Sequence, residues 1–126
     1  MDGIVLWLSL ALFYEARGEP VQCQIDVARV ILERSRLSGG SVQDVILSPN
    51  QFPWVKDVFQ GQVLRPESRP NRQSAAWIQV EQSAIRSLYL DDMIKATHFH
   101  ATYISKPASW SKLVKTHQCG NHIFYK

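Results

Sequence analysis

Residues 4–14 (IVLWLSLALFY) form an almost uninterrupted apolar run that stops at Glu15-Ala16-Arg17-Gly18-Glu19-Pro20. A helix that is apolar on every side has no face suited to water, so the rest of the fold must surround it. The run falls well short of the roughly 18 residues that cross a bilayer. A secretory signal would start with positive charge and end at a small-residue cleavage site, whereas this chain opens Met1-Asp2-Gly3 and meets charge at Glu15. The expectation is a chain made in the cytoplasm without a cleaved signal and with no stable membrane insertion.

Glu15 follows Leu12 by three positions, Ala11 by four and Leu8 by seven, which places it on their apolar face. Gly18 can take positive φ and Pro20 disfavours α geometry at Glu19, so the helix is expected to end near Arg17. Burial and the negative end of the helix dipole both disfavour the carboxylate form of Glu15. A glutamic acid that keeps its proton near neutral pH is suited to general-acid catalysis. The competing reading is a buried acid paired with an arginine. Glu19 is the second acid of the motif, and it is more simply explained as local structure before a helix with Pro20 in its first turn.

With 126 residues, the chain fits one domain with its own core. The formal charge of +3 and pI near 9.0 indicate mild attraction to polyanions such as nucleic acid, anionic membrane or bacterial cell-wall polymer. The basic residues are scattered and not interleaved with aromatics, so nucleic acid is not expected as a partner. Cys23 and Cys119 form no CxxC motif; they are either buried free thiols or one long-range bridge.

Helical spacing recurs from Pro20 to about Leu37, where Ser38-Gly39-Gly40 breaks it, and Ser41-Val42-Gln43-Asp44 reads as a capping box for a short helix through Leu47. Ser48-Pro49-Asn50 should turn the chain, and Gln51-Phe52-Pro53-Trp54 looks extended. Residues 55–73 read as a long loop, 74–90 as a third substantial helix ending at Asp91-Asp92, and 96–104 as a strand with a possible partner at 122–125. The expected class is α+β, mainly α, with a small antiparallel sheet or hairpin.

His98 and His100 are two apart and share one side of a strand, with His117 and His122 near the other strand. A bare His-x-His pair does not fix a third ligand, so neither a metal nor a cofactor is expected. The better reading has His98 and nearby aromatics lining a groove, with His117 as an ordinary structural histidine.

FYEARGEP, IDVARVILERS, NQF, ATHFHATY and the terminal GNHIFY together resemble the SleB-type cell-wall hydrolases, which include spore-cortex-lytic enzymes and phage lysins. The resemblance runs from about Leu10 to Tyr125. It implies a lysozyme-like domain over residues 1–126 that acts on the glycan strands of peptidoglycan, with Glu15 as the catalytic acid. It also implies a cleft lined by Gln51 and Phe52, by Thr97, His98 and Tyr103, and by Gly120, His122 and Phe124, beside which Trp54 and His100 are further substrate-binding candidates. Cys23 and Cys119 depart from the family pattern beside two of these motifs, which makes a Cys23–Cys119 disulfide a hypothesis. Without a separate wall-binding domain, the chain resembles a phage or prophage lysin, monomeric and either exported by a holin or carried in a virion.

Glycosidases generally use two carboxylates. Asp26, Asp44, Asp57, Glu67, Asp91 and Asp92 all fall in helical, capping or polar-loop contexts, which leaves Glu15 without a convincing partner. A single acid suffices when the 6-hydroxyl of a muramic acid unit attacks its own C1, the lytic transglycosylase reaction. The alternatives are a hydrolytic muramidase, a zinc-dependent wall amidase or peptidase, and a wall-binding module without turnover.

Overall fold

The structure is a computed structural model that describes residues 3–49, 51–91 and 93–126. Asn50, part of the NQF motif and of the expected 48–50 turn, and Asp92, at the expected helix stop, lie outside the described residues, as do Met1 and Asp2.

Helix α1 (Gly3–Glu15) runs through the core, with Leu8, Leu10, Ala11 and Leu12 each at most 1% exposed. Burying each of these leucines stabilises the fold by about 1.5–3 kcal/mol. The Ser9 hydroxyl lies within the apolar run and donates to the Val5 carbonyl at 2.6 Å, so it carries no unsatisfied group into the core. The helix ends at Glu15, two residues before the end near Arg17 expected from Gly18 and Pro20, and Gly18 takes φ +87° in the turn that follows.

Helix α2 (Val21–Ser38) packs Val27, Ala28, Val30 and Ile31 against the core and stops at Gly39, which adopts the left-handed conformation. Pro20 is its N-cap, one position before the first-turn place expected for it. Helix α3 (Val42–Leu47) starts with the capping box read from the sequence: Asp44 N–H donates to Ser41 Oγ at 3.0 Å, and Ser41 N–H donates to Asp44 Oδ2 at 3.0 Å. Helix α5 (Ala75–Tyr89), capped by Ser74, lays Trp77, Val80 and Ala84 against α1 and α2. No described helix is long and apolar enough to cross a membrane.

The structure corrects the reading of two segments between α3 and α5. Gln51 to Trp54 turns instead of extending: Val55 N–H bonds to the Phe52 carbonyl at 3.1 Å, and Trp54 takes right-handed helical angles at the start of α4 (Val55–Val58). Residues 59–64, expected as loop, form a hairpin of β1 (Phe59–Gln60) and β2 (Val63–Leu64) that turns at Gly61 with φ +62°. Strands of two residues are too short to show alternation, and this one is held by Phe59 stacking on Trp7 at 4.9 Å.

The second sheet is three-stranded and antiparallel, ordered β3 (His98–Ala101), β5 (His122–Tyr125) and β4 (Lys115–Cys119). β4 was not foreseen. Its residues are mostly polar, and an irregularity between Lys115 and His117 breaks the period of two. Phe99, Phe124 and His117 share the face turned to the helices, with Phe124 fully buried. The described chain is thus mainly helical, with small antiparallel sheets.

Candidate active site

Glu15 is the last residue of α1, where the carbonyls have no intrahelical partners. One of them, on Ala16, is capped from α2: the Gln24 amide donates to it at 3.2 Å and to Gln79 Oε1 at 3.0 Å. The Ser83 hydroxyl donates back to Gln24 Oε1 at 2.7 Å. Gln24 is fully buried, and this network ties α1, α2 and α5 together at the end of the helix that carries Glu15. This network is not legible in the sequence; a glutamine within the apolar period of α2 is its one local sign.

The Glu15 carboxyl is partly buried, and Oε1 accepts the indole N–H of Trp54 at 2.8 Å. Burial raises its pKa above the ordinary carboxylate value, and the Trp54 hydrogen bond offsets only part of that rise. The indole stacks on Tyr14 at 5.0 Å and sits 5.7 Å from Phe52, which in turn lies 6.4 Å from Phe99 of β3. The Tyr14 hydroxyl donates to the Ser68 carbonyl at 3.1 Å, joining this aromatic row to the segment after β2. Arg17 lies over the Phe13 ring at 4.2 Å and forms no ion pair with Glu15.

Trp54→Phe should keep the ring against Tyr14 and remove the donor that favours the ionised carboxyl. The Glu15 pKa should then rise, and an activity that needs protonated Glu15 should keep its rate to higher pH. A pH–rate profile checks this; an alkaline limb that stays put or moves to lower pH contradicts the role of Trp54.

Glu19 is held separately. Its Oε1 accepts Asn121 N–H at 3.1 Å and lies 3.6 Å from Nδ1 of His122, a residue only 5% exposed. Burial lowers the His122 pKa and favours the neutral ring, while the Glu19 carboxylate and a hydrogen bond with the Glu15 main chain pull the other way. Cys23 and Cys119 are joined in a disulfide with Cα atoms 5.3 Å apart, linking the first turn of α2 to the end of β4.

Of the sequence-derived candidates, the structure brings Phe52, Trp54, His122 and Glu19 to the end of α1, and Gln51, partly exposed, adjoins Phe52. His98 and His100 share one face, as their spacing requires, but it is the face opposite Phe99. There Trp110 covers them, with ring centroids 4.9 and 6.0 Å away, and His100 stacks on Tyr125 while bonding its hydroxyl at 2.9 Å. The Thr97 hydroxyl is spent on His98 Nδ1 at 2.8 Å, and Tyr103 is 85% exposed on the loop after β3. His117 stacks on Phe124 at 4.5 Å and pairs with Asp26 at 3.0 Å, a structural arrangement. Among the described residues, no three His, Cys, Asp or Glu side chains gather as a metal-binding group.

The catalytic domain of the germination-specific lytic transglycosylase SleB from Bacillus anthracis superposes with a TM-score of 0.73 at 23% identity, covering 100% of this chain and 97% of that one. The catalytic domain of the Bacillus cereus SleB protein superposes with a TM-score of 0.71 at 25% identity, covering 98% of this chain and 88% of that one. Curated proteins give no match. The Cell Wall Hydrolase family matches residues 18–125, a span that begins just after Glu15, so the case for Glu15 rests on the geometry above. With that match over most of its length and the lysozyme-like fold of the SleB catalytic domains, the chain belongs to the cell-wall hydrolase family.

Proposed function

We propose that this protein cleaves the glycan strands of peptidoglycan as a lytic transglycosylase, with Glu15 serving first as acid and then as base. The observation that carries this reading is a carboxyl whose burial favours the protonated form, set at a helix end beside the stacked rings of Trp54 and Tyr14. The fold likeness to a protein described as a lytic transglycosylase supports it.

Glu15 gives its proton to the glycosidic oxygen between a MurNAc and a GlcNAc unit as the bond from C1 to that oxygen breaks. The 6-hydroxyl of the same MurNAc attacks C1, a new C1–O6 bond forms, and the Glu15 carboxylate takes the hydroxyl proton. The enzyme returns to its starting state, no water is consumed, and the product ends in 1,6-anhydro-muramic acid. Trp54 and Tyr14, both partly exposed, offer flat apolar rings to the sugar faces, buried Phe52 packs behind them, and Gln51 offers an amide to the sugar hydroxyls. Four of the other described acids are held in contacts of their own, which fits the single-acid scheme. Asp26 pairs with His117, Asp44 caps α3, Glu81 accepts the Trp77 indole N–H at 3.1 Å, and Glu19 is engaged with Asn121.

Digestion of purified sacculi followed by mass spectrometry tests the reading. Muropeptides with anhydro ends are expected, lighter by one water than the reducing ends a muramidase would leave. Reducing muramic ends would replace the transglycosylase with a hydrolase, and release of peptides from intact glycan would end the glycan reading.

A further inference from the structure

Glu19 lies four residues after Glu15 and is the carboxylate that a two-acid scheme would recruit first. Its surroundings give it different work. The side chain is 10% exposed, and both oxygens face the β4–β5 turn. Oε1 accepts the Asn121 N–H, and Oε2 fills the space a β-carbon on residue 120 would need, so Gly120 admits the carboxylate where any other residue would expel it. Gly120 also takes φ +55°, and Cys23 Sγ lies 3.4 Å from the same β-carbon position, so the disulfide closes the other side of the turn. The next residue, His122, is buried against Phe99 at 5.4 Å, and Phe99 lies 6.4 Å from Phe52, the neighbour of the Trp54 ring that donates to Glu15.

We propose that Glu19 is a positioning residue for Glu15: it seats the Gly120–Asn121 turn, and through that turn it holds His122 and Phe99 behind the Phe52–Trp54 pair that binds the Glu15 carboxyl. The helix end lacks intrahelical partners at this point, so its orientation depends on contacts from outside α1. Small displacements of a catalytic group cost turnover far more than binding, with a shift of about 1 Å costing as much as ~100-fold. This inference rests on Glu15 being the acid in the glycan-cleavage reading.

The test measures kcat and KM on soluble, uncross-linked glycan strands for Glu19→Gln, Gly120→Ala and the double variant, beside Glu15→Gln. Glu19→Gln removes the charge and keeps the size, and Gly120→Ala pushes the carboxylate out of its seat. Each single change should lower kcat by about 10- to 100-fold with KM within about twofold of wild type. The double variant should lose little more than the worse single, because both act on one contact.

A Glu19→Gln loss equal to that of Glu15→Gln would make Glu19 a catalytic acid and overturn the proposal. An unchanged kcat with only a lowered melting temperature would overturn it as a purely structural contact, and so would multiplicative losses in the double variant. If Glu19→Gln does not fold, folded Gly120→Ala carries the same test, and wild-type kcat in that variant overturns the proposal. Failure of the underlying reading looks different: wild-type protein would show no turnover that Glu15→Gln abolishes.

Discussion

Glu15→Gln should abolish glycan cleavage, lowering kcat by at least about 1,000-fold, while the protein folds normally and still binds sacculi. General acid–base catalysis contributes on the order of 10²–10⁴-fold, and here one group supplies both proton transfers. The isosteric amide accepts the Trp54 N–H as the carboxyl does but has no proton to give. Stability should move the other way. The folded protein holds the Glu15 proton to higher pH than the unfolded chain does, so ionisation at neutral pH disfavours the folded state. That cost is absent below the unfolded pKa, appears as pH rises through the folded pKa, and is absent at every pH in Glu15→Gln. Turnover on sacculi and thermal melting at pH 7 and pH 4 check both halves. Retained turnover would remove Glu15 from the mechanism, and a variant less stable than wild type at pH 7 would contradict the burial argument.

Loss of the disulfide should have the largest effect on stability. Cys23 and Cys119 are 96 positions apart, and cross-linking a loop of that size restricts the unfolded chain by about 4–5 kcal/mol in the chain-entropy treatment. Cys23→Ala with Cys119→Ala, which leaves no unpartnered hydroxyl at the buried Cys23 position, should unfold at a markedly lower denaturant concentration, and reduced wild-type protein should behave alike. A difference under about 1 kcal/mol between oxidised and reduced wild type would show that the bridge constrains little. Because the bridge adjoins Gly120 and the Glu19 seat, its removal should also lower turnover under conditions where the protein remains folded.

Helix α1 and the place of Glu15 at its end could be read from an eleven-residue run broken only by Ser9 and a Gly-x-Pro stop, because helix burial and termination are local properties. The same holds for the capping box at Ser41, the Ser74-capped helix and the strands at His98 and His122. The β1–β2 hairpin and β4 were not legible. Two-residue strands carry no period, and a polar strand with an irregular register is held by its neighbour β5, not by its own pattern.

What the sequence determined by itself was a carboxyl delivered from an apolar helix, and the shared face of His98 and His100, since both follow from the periods of helix and strand. Only the tertiary structure decided which groups meet there. Trp54, 39 positions away, reaches Glu15; Gln24 caps the Ala16 carbonyl; and Glu19 turns to Gly120, Asn121 and His122, 102 positions from Asn121. It also decided that the face carrying His98 and His100 packs under Trp110, opposite the face of Phe99. The reason is physical: a periodic pattern says that a face must be covered, and the long-range packing of the chain selects what covers it.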